Sequence, residues 1–189
     1  MLNKDDYLKI YQLLDAVNPL PYDCGTLCSS ICCRYEQLPN KEDLYLFMLP
    51  GEEMVHDRSD PWLSWQTHST QEFGFPASWG KAVYTVQCRG PESCKRLLRP
   101  IQCRTYPLEP YITRKHKLAL VYCDHYHPYD CPLIEKKAAL SQEFLKATYK
   151  AWEMLIKDDS IRDYVEADSK HRYSIWYKNK IVCFPDFKK

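Results

Sequence analysis

Apolar side chains recur at helical spacing near the start of the chain and again in its last third. Over residues 3–17 they fall at i, i+3 and i+4, which predicts an amphipathic helix that the following Asn-Pro pair would end. The same spacing predicts a long amphipathic helix over residues 132–157, with Pro132 suited to its first turn, and a shorter helix over residues 159–168. We expect the apolar faces of these helices to pack into a core.

The middle of the chain has the composition of strands and turns. Residues 43–55, DLYLFMLPGEEMV, predict a short buried strand that a Pro-Gly turn stops, followed by a helical turn that begins at Glu52. Residues 81–88 and 117–123 are rich in Val, Leu and Tyr, which predicts two strands of one small antiparallel sheet.

Two further segments complete the pattern. Residues 56–80 contain three tryptophans and two prolines without a clean period, which predicts an ordered irregular loop. The aromatic part of this loop, residues 61–79, is our candidate for a cover over a neighbouring site. Residues 172–178, RYSIWYK, predict a terminal strand.

A chain of 189 residues with 45% hydrophobic and 27% charged residues is ordinary for one globular domain, here residues 1–189. The expected class is α+β, with a small antiparallel sheet and flanking helices around a cysteine-rich region at about 20–135. A C-terminal helical segment at 132–168, with the terminal strand packed on it, completes this expectation. No apolar run approaches the roughly 18 residues of a membrane helix, and the N-terminus lacks the pattern of a secretory signal, so we expect a cytoplasmic protein without a membrane span.

Ten cysteines in such a compartment favour metal ligands or redox groups over a disulfide framework, although their even number keeps that framework as an alternative. Four of them, Cys24, Cys28, Cys32 and Cys33, lie within ten positions. On one straight helix Cys24 and Cys32 would lie about 12 Å apart, whereas the sulfurs around one tetrahedral zinc ion lie within about 4 Å of each other. The segment must therefore bend, for which Gly25 gives freedom, or supply more than one metal.

Adjacent cysteines constrain the ligand arrangement further. The side chains of Cys32 and Cys33 would diverge by about 100° on a helix and point to opposite faces of a strand, so they are not expected to serve one simple site together. Three arrangements stay open: two nearby metals, a polynuclear cluster, or one ligand beside one packing thiol.

A second group of cysteines follows in a basic stretch. The cysteines are Cys88, Cys94 and Cys103, with Cys123 and Cys131 beyond them. Against the single acid Glu92, residues 89–104 contain Arg89, Lys95, Arg96, Arg99 and Arg104. This positive charge suits a cluster of thiolates, whose pKa values it lowers, and on charge pattern alone a solvated basic loop is equally consistent. A nucleic-acid surface, with nearby tyrosines and tryptophans for stacking, is less favoured because the basic run is short and interrupted by prolines.

Other candidate ligands lie outside this pattern. His125 and His127 could ligate a metal together with Cys131, but two histidines in a polar loop are more commonly surface residues, and no known zinc spacing includes them. Cys123 precedes these histidines and has no assigned role. Cys183, in an apolar run, is expected to pack as a small apolar side chain.

These motifs resemble the cysteine-cluster, or CxxCxxCC, family of proteins described as zinc- or iron-chelating. The likeness covers most of the first 135 residues. The family block C…C-x4-RP-x2-C-R-x-[FY]-P is similar to Cys88, Cys94, Arg99, Pro100, Cys103, Arg104, Tyr106 and Pro107. The opening quartet is similar to Cys24, Cys28, Cys32 and Cys33, here spaced C-x3-C-x3-CC instead of C-x2-C-x2-CC, and the late Cys-Pro is similar to Cys131 and Pro132. A variant common in clostridia-like bacteria has DCG-x-LC and LPGEE elements, similar to residues 23–28 and 49–53.

The resemblance implies a metal-binding domain with eight cysteine ligands and with Arg99 and Arg104 behind them. The ligands would be Cys24, Cys28, Cys32, Cys33, Cys88, Cys94, Cys103 and Cys131. Members of the family have been named iron–sulfur oxidoreductases by inference, and a distant likeness to the cysteine region of flagellin lysine N-methylases is implied. The resemblance supplies no substrate, so the reaction stays open.

Two functions from different classes follow as expectations. The first is an iron–sulfur protein with a 4Fe–4S cluster as one option, engaged in redox chemistry or electron transfer with an unidentified protein, because adjacent cysteines and a total of eight favour polynuclear chemistry. The alternative is a structural zinc protein that acts as an interaction module. A cysteine nucleophile is improbable because no Cys/His/Asn arrangement is recognisable.

Overall fold

The computed structural model describes residues 1–34, 45–123, 129–135, 139–176 and 183–184. Within these ranges the architecture is α+β with antiparallel pairing and a long C-terminal helix, as the sequence predicts, but the strands form two small sheets instead of one. The helices are α1 (Lys4–Asp15), α2 (Ile101–Thr105), α3 (Pro132–Glu135), α4 (Gln142–Leu155) and α5 (Asp159–Trp176). The strands are β1 (Leu46–Phe47), β2 (Leu63–Ser69), β3 (Ala82–Cys88), β4 (Leu108–Ile112), β5 (Leu118–Tyr122) and β6 (Cys183–Phe184). Across the described residues, none of the helices combines the length and apolarity needed to cross a membrane.

The predicted N-terminal helix is confirmed as α1. Its start is set by a capping box in which the Asn3 side chain accepts from the Asp6 amide and the Asp6 carboxylate accepts from the Asn3 amide. The face that it buries carries Tyr7, Ile10, Tyr11 and Leu14. Together with buried residues of α4, α5 and the sheet strands β4 and β5, this face forms the main hydrophobic core.

The first sheet has the order β1-β3-β2, with β3 antiparallel to both neighbours. Its strand β2 lies inside the segment predicted to be an irregular loop, so that prediction is wrong for residues 63–69. Most side chains of β2 are polar and few are buried, so no hydrophobic alternation marks it. Seven residue pairs with β3, from Leu63 opposite Cys88 to Ser69 opposite Ala82, hold this strand instead.

The second sheet has the order β4-β5-β6, also antiparallel. The strands predicted at 81–88 and 117–123 are confirmed as β3 and β5, but they do not pair with each other as expected. The strand β5 pairs with the proline-containing β4, which a short turn at Thr113–Lys117 connects to it. Pro110 has no amide N–H to donate to a neighbouring strand, so a strand that contains it is tolerated only at the edge of a sheet. The strand β4 has that position.

Two C-terminal predictions are corrected. The long helix expected over 132–157 is two helices, α3 and α4, because Ser141 caps a new helix by accepting from the Phe144 amide at 3.1 Å. The strand expected over 172–178 is helical as far as residue 176, where α5 ends. Its β-like composition is outweighed by ion pairs of Arg172 with Asp168, one turn earlier, and with Glu109 of β4. Residues 177–178 lie outside the described residues.

A second, smaller core lies against the first sheet and positions the cysteine region. Its buried members are Met48, Trp62, Leu63 and Val86, and the side chains of Cys88 and Cys94 pack against it. The turn that follows β1 is as predicted. Pro50 and Gly51 end the extended segment, and a 3₁₀ turn follows at Glu52–Val55.

Gly51→Ala is expected to lower the free energy of unfolding by about 1–3 kcal/mol. Gly51 has φ of +92°, and an added Cβ would lie 2.8 Å from the backbone oxygen of Leu2. Urea unfolding midpoints would measure the loss. The matched control is Gly74→Ala, since Gly74 also has positive φ (+63°) but no atom within 4 Å of the added Cβ. Equal losses in the two variants would contradict the steric role of the Leu2 contact.

Candidate metal centre

The first cysteine segment bends sharply and is not one straight helix. It consists of two 3₁₀ turns, Cys24–Leu27 and Ile31–Cys33, which meet at Ser29 and Ser30. These serines have φ of 54° and 57°, in the left-handed region that non-glycine residues seldom adopt. The bend that the sulfur distances require therefore lies at the serines.

Gly25 contributes to this bend by allowing a close approach. The Ser30 amide donates to the Gly25 carbonyl oxygen at 2.9 Å, so the chain folds back onto the glycine. A Cβ at Gly25 would lie 2.4 Å from the Ser30 Oγ. The Asp23 carboxylate accepts from the Gly25 amide at 2.9 Å and fixes the start of the turn.

Four of the predicted ligands line one small cavity of about 30 Å³, together with Tyr106 and Tyr129. These four are Cys24, Cys28, Cys32 and Cys131, which we call the first thiol group. Burial raises the pKa of Cys24, and the acidic groups Asp23, Cys131 and Cys28 raise it further. The cavity has the size of one or two water molecules, which is too small for an organic substrate.

The other four predicted ligands form the second thiol group, Cys33, Cys88, Cys94 and Cys103. Burial raises the pKa of Cys88 to about 11, with contributions from Cys94 and Cys33. Burial likewise raises the pKa of Cys103, and Cys33, Cys88 and Cys94 all add to that rise. Cys88 and Cys103 therefore each lie within electrostatic range of Cys33 and Cys94.

The adjacent cysteines lie close together where the two groups meet. The sulfurs of Cys32 and Cys33 lie 4.0 Å apart, and the hydrogen bond between them lowers the pKa of Cys33 to about 7. Cys32 lines the cavity of the first group and also lies close enough to Cys103 to interact with it. The two groups are therefore neighbours, joined at this dipeptide.

Arg99 contacts a cysteine sulfur directly. Its Nε donates to Cys94 Sγ at 3.2 Å. Burial on its own would lower the pKa of Arg99, but this hydrogen bond and the thiols of Cys94, Cys103 and Cys33 raise it. A guanidinium in this position is suited to compensate the negative charge of thiolate ligands.

Arg104 acts one layer further out. It donates to the carbonyl oxygens of Arg99 at 2.6 Å and Arg96 at 3.1 Å, and its guanidinium lies 4.4 Å from the ring centre of Tyr11. Arg104 therefore holds the backbone of the turn that presents Arg99. The resemblance implies that both arginines stand directly behind the cysteines, but Arg104 lies behind Arg99.

Ion pairs join the two cysteine segments and neutralise part of the positive charge of residues 89–104. Arg34, directly after Cys33, pairs with Glu92 at 2.5 Å, and Arg96 pairs with Asp23 at 3.0 Å. Lys95 pairs with Asp60. Both segments are thus tied together on either side of the thiols, at the surface, where each pair contributes a modest stabilisation.

Glu52 is a buried acid that the sequence marked only as the start of a turn. Its carboxylate is fully buried and accepts from the amides of Ile101 at 2.7 Å and Leu49 at 3.0 Å and from the Tyr11 hydroxyl at 2.8 Å. Burial raises the pKa of Glu52, which these hydrogen bonds partly offset. Because Ile101 begins α2, which carries Cys103, Glu52 positions one of the predicted ligands. The signal in the sequence for this burial is the apolar segment around Glu52, LFMLPGEEMV.

The aromatic segment predicted as a cover touches the site at one end only. Trp62 packs in the small core that supports Cys88 and Cys94. Phe75 and Trp79 instead pack against Tyr164 of α5, with ring centres 5.0 and 5.2 Å away. Trp62 therefore shares a core with Cys88 and Cys94, and a cover over the thiols stays a prediction.

The remaining candidates contribute less. Cys123, directly after β5, is buried and lies close enough to Tyr129 to contribute to the raised pKa of that tyrosine. His125 and His127 lie outside the described residues. Cys183 of β6 is paired with Val121 of β5. Its side chain lies outside the described part of the structure, so its packing role stays a prediction.

The nine cysteines whose side chains the structure describes, from Cys24 to Cys131, carry free thiols. Within those ranges, no set of three or more His, Cys, Asp or Glu side chains lies close enough together to hold a metal ion as it stands. The donor chemistry fits a metal that prefers thiolates. Closure of either thiol group on an ion requires its sulfurs to move closer together than they lie in this structure.

The chain matches no family model, no curated protein and no solved structure. Its resemblance to the cysteine-cluster family therefore depends on the cysteine and Arg-Pro motifs and stays a prediction. The function has to be argued from the arrangement of the thiols.

Glu52→Ala is expected to lower the free energy of unfolding by about 3 kcal/mol or more, because each buried donor left without an acceptor costs about 1–3 kcal/mol. Urea unfolding would measure the loss. Tyr11→Phe is the comparison variant, since it removes one donor and leaves both backbone amides bound to Glu52, so its loss should be about 1 kcal/mol. Equal losses for the two variants would contradict the role of Glu52 in holding α2.

Proposed function

We propose that this chain is a metal-binding protein of the cysteine-cluster type that holds one or more iron–sulfur clusters through eight cysteines. The ligands are Cys24, Cys28, Cys32, Cys33, Cys88, Cys94, Cys103 and Cys131. The observation that carries the proposal is that these thiols, far apart in sequence, lie in two adjoining groups joined at Cys32 and Cys33. Structural packing alone would not require eight partly exposed or half-buried thiols in one region.

Charge and hydrogen bonding around the second thiol group support a redox cluster. The potential of a thiolate-bound cluster depends on its net charge and on hydrogen bonds to the ligand sulfurs. Arg99 supplies both at once, because its charged Nε donates to Cys94 Sγ. Four thiolates hold either a 2Fe–2S or a 4Fe–4S cluster, and the 4Fe–4S type is the one that we propose.

Exposure of the site supports electron transfer as its role. Cys32 is exposed, and the apolar side chains of Leu27 and Leu97 beside the cysteines are 46% and 70% exposed. A cluster near the surface, next to apolar contacts, suits docking of an electron-transfer protein, the partner class that we propose. The reaction and any substrate are left unassigned, and the cytoplasm is the proposed compartment because reduced thiols persist there.

The neutralised basic stretch argues against nucleic acid as the partner. Lys95 and Arg96 form ion pairs with Asp60 and Asp23, and the Arg99 and Arg104 side chains point to a sulfur and to carbonyl oxygens. Binding of phosphates needs cations that face solvent as a set. Most of the cations in this stretch are therefore paired or hydrogen-bonded within the protein.

A structural zinc protein that acts as an interaction module is the second candidate. Its support is the ligand number, because four thiolates around each ion is the usual composition of a closed zinc site. In that case the metals would stabilise the folded chain and the surface would carry the function.

Metal analysis separates the two functions. Protein purified without oxygen from cells supplied with iron is expected to be brown, with iron and acid-labile sulfide in similar amounts. Colourless protein that contains zinc and no iron, after the same iron–sulfide reconstitution that assembles clusters in other proteins, would rule out the iron–sulfur function.

Arg99→Gln is expected to lower the reduction potential of the cluster. Loss of the charge and of the N–H donor to Cys94 disfavours the reduced, more negative state, and a one-electron shift on the order of 50 mV corresponds to little more than 1 kcal/mol. Protein-film voltammetry or a redox titration would measure it. Arg114→Gln, an equal charge change on an exposed residue of the second sheet, serves as control. An unchanged potential in Arg99→Gln would contradict this role for the arginine.

A further inference from the structure

We propose that the turn between β4 and β5 and the helix α5 form a binding site for a small organic phosphate, which Arg114 and Lys170 hold. The site is a cavity between these two elements, which we call the α5 cavity, and no cysteine lines it. The inference therefore goes beyond the proposed metal-binding function and does not depend on it.

The α5 cavity has a volume of about 390 Å³ and is open to solvent on one side. Small-molecule pockets measure about 300–1,000 Å³, so this cavity is large enough for an organic ligand. Its polar and aromatic lining comes from the turn and from successive turns of α5: Arg114, His116, Glu166, Lys170 and Tyr173.

The walls of the α5 cavity are fixed to each other. The Ser169 Oγ of α5 is buried, accepts from the Ile112 amide at the end of β4 at 2.8 Å and donates to the Val165 carbonyl oxygen at 2.6 Å. Arg172, one turn further along, pairs with Glu109 of β4. A cavity whose walls are held in this way is preformed, which lowers the cost of binding a ligand.

The turn that forms the rim is also held by hydrogen bonds. The Thr113 amide donates to the Lys117 carbonyl oxygen at 2.9 Å, and the His116 amide donates to the Thr113 carbonyl oxygen at 2.8 Å. His116 has φ of 54°, the left-handed conformation that closes this turn. The backbone that carries Arg114 therefore has one defined path.

Arg114 is a cation that is held in place while its donors stay available. Its guanidinium carbon lies 3.9 Å from the centre of the Tyr173 ring on α5. Stacking on a ring face leaves the N–H donors of a guanidinium free in its own plane. Among the described residues these donors form no hydrogen bond or ion pair. Such a fork is suited to bind two oxygens of one phosphate.

Lys170 adds a second cation to the same cavity. It lies one turn after Glu166 on α5, but within the described part of the chain the two side chains form no ion pair. The cations around the cavity thus outnumber its one carboxylate, in contrast to residues 89–104, where most cations are paired.

This lining selects the class of ligand. A phosphate monoester carries a charge near −2 at neutral pH, which matches two cations better than a carboxylate does. The carboxylate of Glu166 can accept from a hydroxyl or amino group of the ligand. A nucleoside or sugar phosphate combines both features.

A nucleic acid is the other phosphate-bearing partner to consider, because Lys115 and Lys117 are exposed in the same turn. Nucleic-acid binding uses many cations spread along a surface. Arg114 and Lys170 instead line one concave space, so a small molecule is the better match.

Binding to the full chain would be measured by isothermal titration calorimetry with AMP, ribose 5-phosphate and inorganic phosphate, and with adenosine and ribose as phosphate-free controls. We expect AMP to bind in a one-to-one ratio, more weakly as salt is added, and adenosine not to bind. No binding of any of the three phosphates at millimolar concentrations, or equal binding of adenosine and AMP, would overturn the proposal.

Substitutions then place the ligand in the α5 cavity. Arg114→Ala and Lys170→Gln are each expected to weaken AMP binding about tenfold or more, because each removes a charged hydrogen bond to the phosphate. Arg114→Lys, which keeps the charge but loses the planar fork, should fall between Arg114→Ala and the wild type. The control is Lys146→Gln, the same charge change on an exposed residue of α4. Unchanged affinity in both Arg114→Ala and Lys170→Gln, with folding confirmed by circular dichroism, would place the ligand elsewhere and overturn the proposal.

The sign of the charge effect provides a separate test. Glu166→Gln removes a negative charge from the lining, so inorganic phosphate is expected to bind several-fold more tightly at low salt. Unchanged or weaker binding would contradict a phosphate in this cavity.

Single-stranded RNA tests the competing partner. Tighter binding of RNA than of AMP, weakened equally by Lys115→Gln and Lys117→Gln, would indicate a nucleic-acid surface and overturn the small-molecule site. Binding of AMP by a chain that takes up no metal would support this inference and reject the proposed metal-binding function.

Discussion

The buried carboxylate of Glu52 is the interaction on which the cysteine region depends. It accepts hydrogen bonds from the helix α1, through Tyr11, from the strand end at Leu49 and from the start of α2 at Ile101. A buried carboxylate is costly unless such donors surround it. Because these three elements must be in place together to supply the donors, the site is built by the tertiary fold and cannot form from the cysteine segments alone.

Around this anchor, charge is arranged in layers. Arg104, largely buried, donates to the backbone of the turn that presents Arg99, and Arg99 in turn contacts Cys94. Such an order places a fixed positive charge beside the Cys94 sulfur, where it favours the thiolate form. The ion pairs at the edge of the site, Arg34 with Glu92 and Arg96 with Asp23, tie the segments together without adding free charge.

The arrangement also explains how adjacent cysteines can be useful. A dipeptide whose side chains diverge cannot easily close one small site, but it can join two sites whose ligands come from different parts of the chain. Cys32 and Cys33 have this position between the two thiol groups.

The sequence by itself determined the local elements and the ligand chemistry. Helical spacing predicted α1 and the start of α5, Val- and Tyr-rich runs predicted β3 and β5, and the number and spacing of the cysteines predicted a thiol-based site that must bend. These properties depend on neighbouring residues, which is why a linear pattern reveals them. The polar strand β2 was missed because pairing, rather than a buried face, defines it.

Only the tertiary structure decided which parts meet. It placed β3 and β5 in different sheets, continued α5 through a stretch of β-like composition by the ion pairs of Arg172, and gave Glu52 three donors from distant segments. It also bent the first cysteine segment at Ser29 and Ser30 and placed Cys131 on the cavity that Cys24, Cys28 and Cys32 line. Contacts between residues far apart in the chain depend on the packing of whole elements, and no local pattern records that packing.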